Sequence, residues 1–290
     1  MVRIIAILAG LLFAIASLWG FVTGAITVAS QGYLKEATAE TSFHMHPEKI
    51  ALSSDGLFPH WDQQQLQRGM QVYSEVCAAC HGLRHVAFRD LEQLGYSEAQ
   101  VKAYAATKQV PGIDPVTGEA TTRPGMPTDY FPSPYPNDVA ARAANNNAVP
   151  PDLSLITKAR HDGTNYLHSL LVGYRDPATF SVNGKKLSEE FPEFETPAGL
   201  YFNPYFPNLN IAMPPPLTTE GQVTYADGTP ATVEQMSKDV SAFLTWAAEP
   251  TLPKRKQTGW PVLLFVLFGT VLAYLAKQQI WAAAKARRRD

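Results

Sequence analysis

Residues 75–83 read EVCAACHGL, and the five at the centre, Cys77-Ala78-Ala79-Cys80-His81, decide how the rest of the chain is read. Two thiols three residues apart, followed at once by an imidazole, form the attachment pattern of haem c. The thiols add to the two vinyl groups of the ring, and the imidazole binds the iron from one face. The preceding residues have helical character. Asp62 and Gln65 stand at capping-box spacing, and Leu66, Met70, Tyr73 and Cys77 recur at three- and four-residue steps. On a helix this spacing sets Cys77 and His81 on one face with Cys80 beside them, so all three groups reach a single flat ring. Other uses of paired thiols fit less well. A thioredoxin-like dithiol follows a strand and opens a helix, whereas here a helix runs into the motif. A structural zinc site needs four ligands, and the chain has only these two cysteines.

A haem iron that only carries electrons needs a ligand on its other face as well. A thioether there raises the reduction potential by stabilising the ferrous state. Met70 shares the helix of Cys77 and cannot cross the ring. Met236 sits in TVEQMSKDVSAFLTWAAE, an amphipathic helical pattern opened by Thr232 and Gln235, and belongs to the core. Met45 lies in a polar His44-Met45-His46 cluster. Met126, in RPGMPTDYF, is a rival to Met213, in YFNPYFPNLNIAMPPPL. The latter stretch, residues 201–217, holds five prolines and four aromatics. A weak thioether bond must be enforced by its surroundings. Pro214, Pro215 and Pro216 fix φ and remove backbone donors, and Phe202, Tyr205, Phe206 and Ile211 can shield the ring. Met213 is therefore the preferred ligand.

The chain has 290 residues, 46% hydrophobic and 17% charged, with 23 prolines, a globular composition rich in stiff irregular backbone. Its formal charge of −2 hides an asymmetry. Residues 30–253 hold 15 Lys and Arg against 25 Asp and Glu, a net −10. From Lys254 onward there are 8 basic residues against Asp290 alone, a net +7. An acidic middle argues against a nucleic-acid partner and for a basic one.

Two apolar segments frame this middle. Residues 260–276 span about 25 Å as a helix at roughly 1.5 Å per residue, close to a bilayer core. Lys277, Lys285, Arg287, Arg288 and Arg289 follow it and outnumber Lys254, Arg255 and Lys256 before it. The side with more cations is cytoplasmic, so the acidic middle is exported. The segment after Arg3, IIAILAGLLFAIASLWGFVTGAITVAS, has no charge until Lys35. It fits either a secretory signal cleaved after Ala29 or an uncleaved membrane segment. The expected division is 1–29 signal or N-terminal membrane segment, 30–253 exported haem domain, 254–281 transmembrane anchor and 282–290 basic cytoplasmic tail.

CAACH, then RPGMPTDYFPSPYPN, ANNNAVPPDLSLITKARHDGTNYLHSLLVGYRDP, GLYFNPYFPNLNIAMPPPL and DGTPATVEQMSKDVSAFLTWAAEP, with one C-terminal anchor, together resemble the cytochrome c1 family. The resemblance covers the chain from about Phe58 onward. It implies the haem subunit of a quinol–cytochrome c reductase (bc1) complex, with one covalent haem c held by Cys77 and Cys80 and ligated by His81 and Met213. It implies Arg160 paired with a haem propionate and Tyr166 near the same edge. Asn145, Ala148, Pro150, Pro151, Ile156, Leu170, Phe206, Ile211 and Pro216 would line the pocket. The Pro151 carbonyl would accept the Nδ1 proton of His81 and fix its tautomer. Two propionates in an apolar pocket suit a guanidinium. The partners implied are cytochrome b and Rieske iron–sulfur subunits and a soluble basic cytochrome c, at a bacterial inner membrane with the head in the periplasm. No substrate chemistry is implied at this haem. Some bacterial members carry a further cysteine pair that this chain lacks, and no roles carry over to residues 94–123.

The fold class expected is mainly α: a cytochrome c-like haem domain with long irregular loops and a C-terminal transmembrane helix. Helices are expected near 62–82, 97–107 (opened by a Ser97–Gln100 capping box), 163–173 and 231–247, and the resemblance implies that the first and last pack across each other. Residues 111–151 are expected as a long loop wrapping the ring, with hairpin-turn signals at 182–185 and 225–228. Two other functions are compatible with the motif. One is a membrane-anchored carrier cytochrome or a haem c subunit of a terminal oxidase. The other is a haem enzyme with an open iron face and a distal acid–base group, for which His85, His161 and His168 are the candidates.

Overall fold

The computed structural model describes residues 2–30 and 37–286; Lys35 and the arginines of the expected basic tail, Arg287 to Arg289, lie outside the described residues. The elements in chain order are α1 (Val2–Ser30), α2 (Ala39–Phe43), α3 (Gln63–Val72), α4 (Glu98–Ala106), β1 (Gln109–Ile113), β2 (Ala120–Pro124), α5 (Asp138–Ala144), α6 (Gly163–Val172), β3 (Ser181–Val182), β4 (Lys185–Lys186), α7 (Leu187–Glu190), β5 (Tyr201–Phe202), β6 (Asn210–Ile211), α8 (Val233–Ala248) and α9 (Leu252–Ala286). Among the described residues the strands form only two-stranded antiparallel ribbons, so the class is mainly α as expected. α1 and α9 are long and apolar enough to cross a membrane, and none of the residues in either span is buried.

The head is organised by α3 crossing α8, with α6 packed on the other side of α8. Gly69 makes the crossing possible: a Cβ there would lie 2.1 Å from the Asp239 carbonyl oxygen and 2.7 Å from the Phe243 Cβ. Around this point Leu66, Tyr73, Met236, Val240, Phe243 and Trp246 are fully or almost fully buried. Burying side chains of this size stabilises by roughly 1.5–3 kcal/mol each before entropy is counted. The crossing also encloses Asp239, which accepts from Arg68 Nε at 2.8 Å, Gln65 Nε2 at 3.1 Å and Gln235 Nε2 at 2.8 Å. Gln65 and Gln235 are the glutamines of the capping boxes expected for α3 and α8. In both helices the cap supplies half of the box: Asp62 accepts from Gln65 N–H and Thr232 from Gln235 N–H. The glutamine side chains turn instead to the buried carboxylate, whose need for partners outweighs an exposed cap.

Three expectations need correction. The helix expected over 62–82 leaves α geometry at Val72 and continues as the π turn Tyr73–Cys77. Residues 111–151 are not one loop. They contain most of the β1–β2 ribbon, whose register sets Pro111 against Thr122, and α5, capped by the Asn137 side chain on Ala140 N–H. Proline is tolerated there because a two-stranded ribbon is all edge. Of the two hairpin signals only 182–185 forms a ribbon, with Asn183 and Gly184 both at positive φ as a type I′ turn requires. At 225–228 there is a turn without strands, closed by Gly228 N–H on the Tyr225 carbonyl. A second, smaller core unites Phe43, Phe180, Leu187, Phe202 and Leu209 beneath these connections.

Candidate haem site

α3 delivers the CAACH motif through its widened last turn. Ala78 N–H donates to the Tyr73 carbonyl at 2.8 Å, a five-residue step, and Cys80 and His81 N–H both donate to the Cys77 carbonyl. Single π turns of this kind concentrate at functional sites. The buried Tyr73 hydroxyl donates to the His81 carbonyl at 2.9 Å and fastens the motif's far end to the same turn. Both cysteines are free thiols with half-buried side chains. Burial pushes the Cys77 thiol up to about 12, the opposite of an activated redox dithiol.

His81 is oriented by a second chain segment. Its Nδ1 lies 2.7 Å from the Pro151 carbonyl oxygen, which selects the Nδ1–H tautomer and leaves Nε2 with the lone pair. Burial lowers its pKa, with the Pro151 contact and the Asp152 charge opposing, so the imidazole is neutral and competent as a ligand at neutral pH. Residues 151–154 are held against 81–85 by a lattice of bonds. Leu153 N–H donates to the Gly82 carbonyl at 2.9 Å, Arg84 N–H to Asp152 Oδ2 at 2.9 Å and His85 N–H to Ser154 Oγ at 3.1 Å. Asp152 and Ser154 were not singled out from sequence, and nothing local to them signals a partner some seventy residues away.

The segment carrying Met213 leaves a hairpin whose strands β5 and β6 pair Tyr201 with Ile211 and Phe202 with Asn210. The Asn203 side chain ties the hairpin to α6 through the Leu170 carbonyl at 2.8 Å. Gln222 Nε2 holds the Pro216 carbonyl at 2.8 Å, and the Tyr174 hydroxyl donates to the Met213 carbonyl itself at 3.0 Å. Tyr174 is a further residue that sequence reading missed. The Met213 side chain is half-buried against the main core, as is Cys77. The rival Met126 is 51% exposed, with its N–H taken by Asp129. Met70 and Met236 are buried in the α3–α8 core, and Met45 packs on the smaller core.

Of the remaining candidates, Ile156, Leu170 and Ile211 are buried, Asn145, Ala148, Pro150, Phe206 and Pro216 half-buried, and Pro151 exposed apart from its bonded carbonyl. Asn145 is fixed by Nδ2–H donation to the Ala141 carbonyl at 2.7 Å. Arg160 is exposed and lies beside Tyr166, where its charge opposes the upward shift that burial gives the phenol. Arg160 and Tyr166 therefore share one place on the surface. His168 is a core residue between Ser237 and Glu234, and His85 and His161 are exposed. The donor set fits a haem c: two thiols, an imidazole with Nδ1 engaged, a half-buried thioether, and apolar side chains left partly uncovered around them.

A helical head in which α3 and its π turn lead into CAACH, with the histidine oriented by a backbone carbonyl and an apolar helix at the C-terminal side, has the donor set and the candidate membrane span of a membrane-anchored cytochrome of the c type. A sequence model of the Cytochrome C1 family matches residues 52–284. The chain is 48% identical to cytochrome c1 of Rhodospirillum rubrum over 235 residues, covering 79% of this chain and 85% of that one. It is 41% identical to the mitochondrial cytochrome c1 heme protein of Saccharomyces cerevisiae over 253 residues, 87% of this chain and 78% of that one. To the cytochrome b/c1 of Bradyrhizobium diazoefficiens it is 45% identical over 260 residues, 87% of this chain and 38% of that longer one. The chain belongs to the cytochrome c1 family, the electron-transfer haem subunits of bc1 complexes in respiratory chains.

Proposed function

We propose that this chain takes one electron at a time from a Rieske iron–sulfur protein and passes it to a soluble basic cytochrome c, within a complex that also contains cytochrome b. The hydrogen bond between His81 Nδ1 and the Pro151 carbonyl carries the reading, because it presets a neutral imidazole with its other nitrogen free. A relative whose name joins cytochrome b to c1 supports the cytochrome b neighbour. Cys77 and Cys80 would tether a single haem c, and His81 and Met213 would hold its iron. When bound, that group supplies a reversible one-electron couple.

The chain's own residues do the rest. Tyr73 and Pro151 fix His81; Tyr174 and the prolines at 214–216 hold Met213. Asn145, Ala148, Pro150, Ile156, Leu170, Phe206, Ile211 and Pro216 exclude water. Arg160, with Tyr166 beside it, pairs a propionate at the mouth. The exported domain's net −10 steers a basic carrier, and this steering weakens as salt rises. α9 anchors the head, with its more basic flank in the bacterial cytoplasm and the head in the periplasm. The N-terminal segment serves export as a signal or a second membrane segment.

Met213→Leu tests the ligand pair. Covalent haem should be retained while the midpoint potential falls strongly and carbon monoxide binds the reduced protein. An unchanged potential would move the ligand elsewhere, to Met126 first. Purification of the native membrane complex tests the partners. Cytochrome b and an iron–sulfur protein should accompany the chain, and a chain that purifies alone with full haem would point to a tethered carrier instead.

A further inference from the structure

We propose that Leu57 and Phe58 form a foot that sits in the lipid interface beside α9 and fixes the height and tilt of the head over the bilayer. This rests on reading α9 as the membrane anchor. The loop at residues 52–62 is closed on itself. Leu52 N–H donates to Asp55 Oδ2 at 2.9 Å, Asp55 N–H to the Leu52 carbonyl at 3.0 Å and His60 N–H to the Ser53 carbonyl at 3.0 Å. Ser54 and Pro59 are buried, yet between them Leu57 and Phe58 stand out at 57% and 86% exposure.

A single exposed apolar side chain is ordinary; the placement of this pair is not. Three hydrogen bonds fasten the same loop to the head-side end of the anchor. Trp61 Nε1–H donates to the Pro250 carbonyl at 2.9 Å, Lys256 Nζ to the Ser54 carbonyl at 3.2 Å and Gln257 Nε2 to the Pro59 carbonyl at 3.3 Å. Gln257 precedes Trp260, where the apolar run begins, by about 4.5 Å along the helix axis. Phe58, bonded directly to Pro59, is thereby held close to the depth at which the apolar run starts. Lipid is the favoured occupant, because Trp260, Val262, Leu263, Leu264 and Phe265 are exposed on all sides of α9 at that end. An exposed lysine, Lys254, stands about a turn and a half above Trp260, the arrangement of aromatic and cationic side chains typical of a membrane boundary.

The test uses the full-length haem-loaded chain in nanodiscs of phosphatidylcholine and phosphatidylglycerol. The chain's only two cysteines are consumed by the haem on the reading above, so Phe58→Cys offers one thiol for a nitroxide label. Its side chain is exposed, so folding is not at stake, and the haem spectrum confirms it. Collision rates with oxygen and with a water-soluble nickel chelate are read by electron paramagnetic resonance, with Leu263→Cys and Val116→Cys as lipid and water references. The oxygen-to-nickel ratio at 58 should exceed that at 116 several-fold and approach that at 263. If 58 behaves like 116 while 263 reports lipid, the foot is wrong and the anchor stands. Low rates with both reagents would mean that protein covers the site, which also overturns the foot. Nickel access at 263 would overturn the anchor and the foot together.

Discussion

Replacing Gly69 by alanine would test the crossing on which the head is built. The new Cβ would sit 2.1 Å from the Asp239 carbonyl oxygen and 2.7 Å from the Phe243 Cβ, where ordinary contact begins at 3.4 Å. The obstructing oxygen belongs to backbone, so no rotamer change relieves the clash. α3 and α8 must separate by about an ångström, loosening Met236, Val240 and Phe243 at the centre of a close-packed core. Overpacking of this kind costs about 1–3 kcal/mol. Alanine's preference for the helix over glycine returns up to about 1 kcal/mol. Both neighbours are rigid, so the cost lies toward about 3 kcal/mol, and less the roughly 1 kcal/mol returned the net expectation is a loss of about 2 kcal/mol. With a urea slope of about 2 kcal/mol/M the midpoint falls by about 1 M. The measurement is urea unfolding of the detergent-solubilised, haem-loaded chain, followed by far-ultraviolet circular dichroism and by Soret absorbance. A midpoint equal to or above that of the unsubstituted protein would show that helix preference alone decides, and the close approach of α3 to α8 would be refuted.

Tyr174→Phe removes the hydroxyl that holds the Met213 carbonyl, a loss of about 1 kcal/mol. Haem attachment should be unchanged, while imidazole or carbon monoxide competes for the iron at lower concentration; unchanged affinity for added ligands would count against a positioning role. Asp239→Ala leaves Arg68, Gln65 and Gln235 facing an empty buried site and should cost about 3 kcal/mol or more, read as a lowered thermal midpoint. A midpoint within a degree of the parent would show that Asp239 adds nothing. The Arg123 guanidinium beside Asp129 holds its carboxyl below the usual carboxylate range. Its contribution to stability is therefore present above the unfolded-chain pKa of about 4 and is lost as pH falls through the depressed folded value. Asp129→Asn should be less stable than the parent at neutral pH and converge with it in acid; parallel pH profiles would contradict the linkage.

Local signals were the legible part of the fold. Asp62, Ser97 and Thr232 each cap the helix that the sequence places after it, and Ser97 completes its box with Gln100. Asn183-Gly184 turns its ribbon because positive φ is written into those residues. What could not be read is where a free side chain goes once the chain folds. Nothing near Gln65 or Gln235 indicates that both abandon their caps for one carboxylate, since Asp239 is 174 residues from the first. The β1–β2 ribbon was hidden by Pro111 and Pro124, which weaken any strand pattern, and by its exposed faces, which leave no alternation to see. In the site, the thiols and imidazole announce themselves within five residues. The contacts of Tyr174, Asp152 and Ser154 depend on segments 39, 68 and 69 residues away. They exist only in three dimensions.

The widened turn ahead of the thiols has a consequence for how this chain tolerates change. Gly69 is wedged against α8, so the azimuth of α3 is locked at that point, and eight residues separate it from Cys77. Each residue added to an α-helix turns the next side chain by about 100°. The five-residue step at Tyr73 therefore acts as a phase setting for the two thiols and the imidazole that follow it. Deleting a single residue between 70 and 76 would swing all three away together while leaving every one of them in the sequence, and a chain with an intact motif would lack the colour of its own haem.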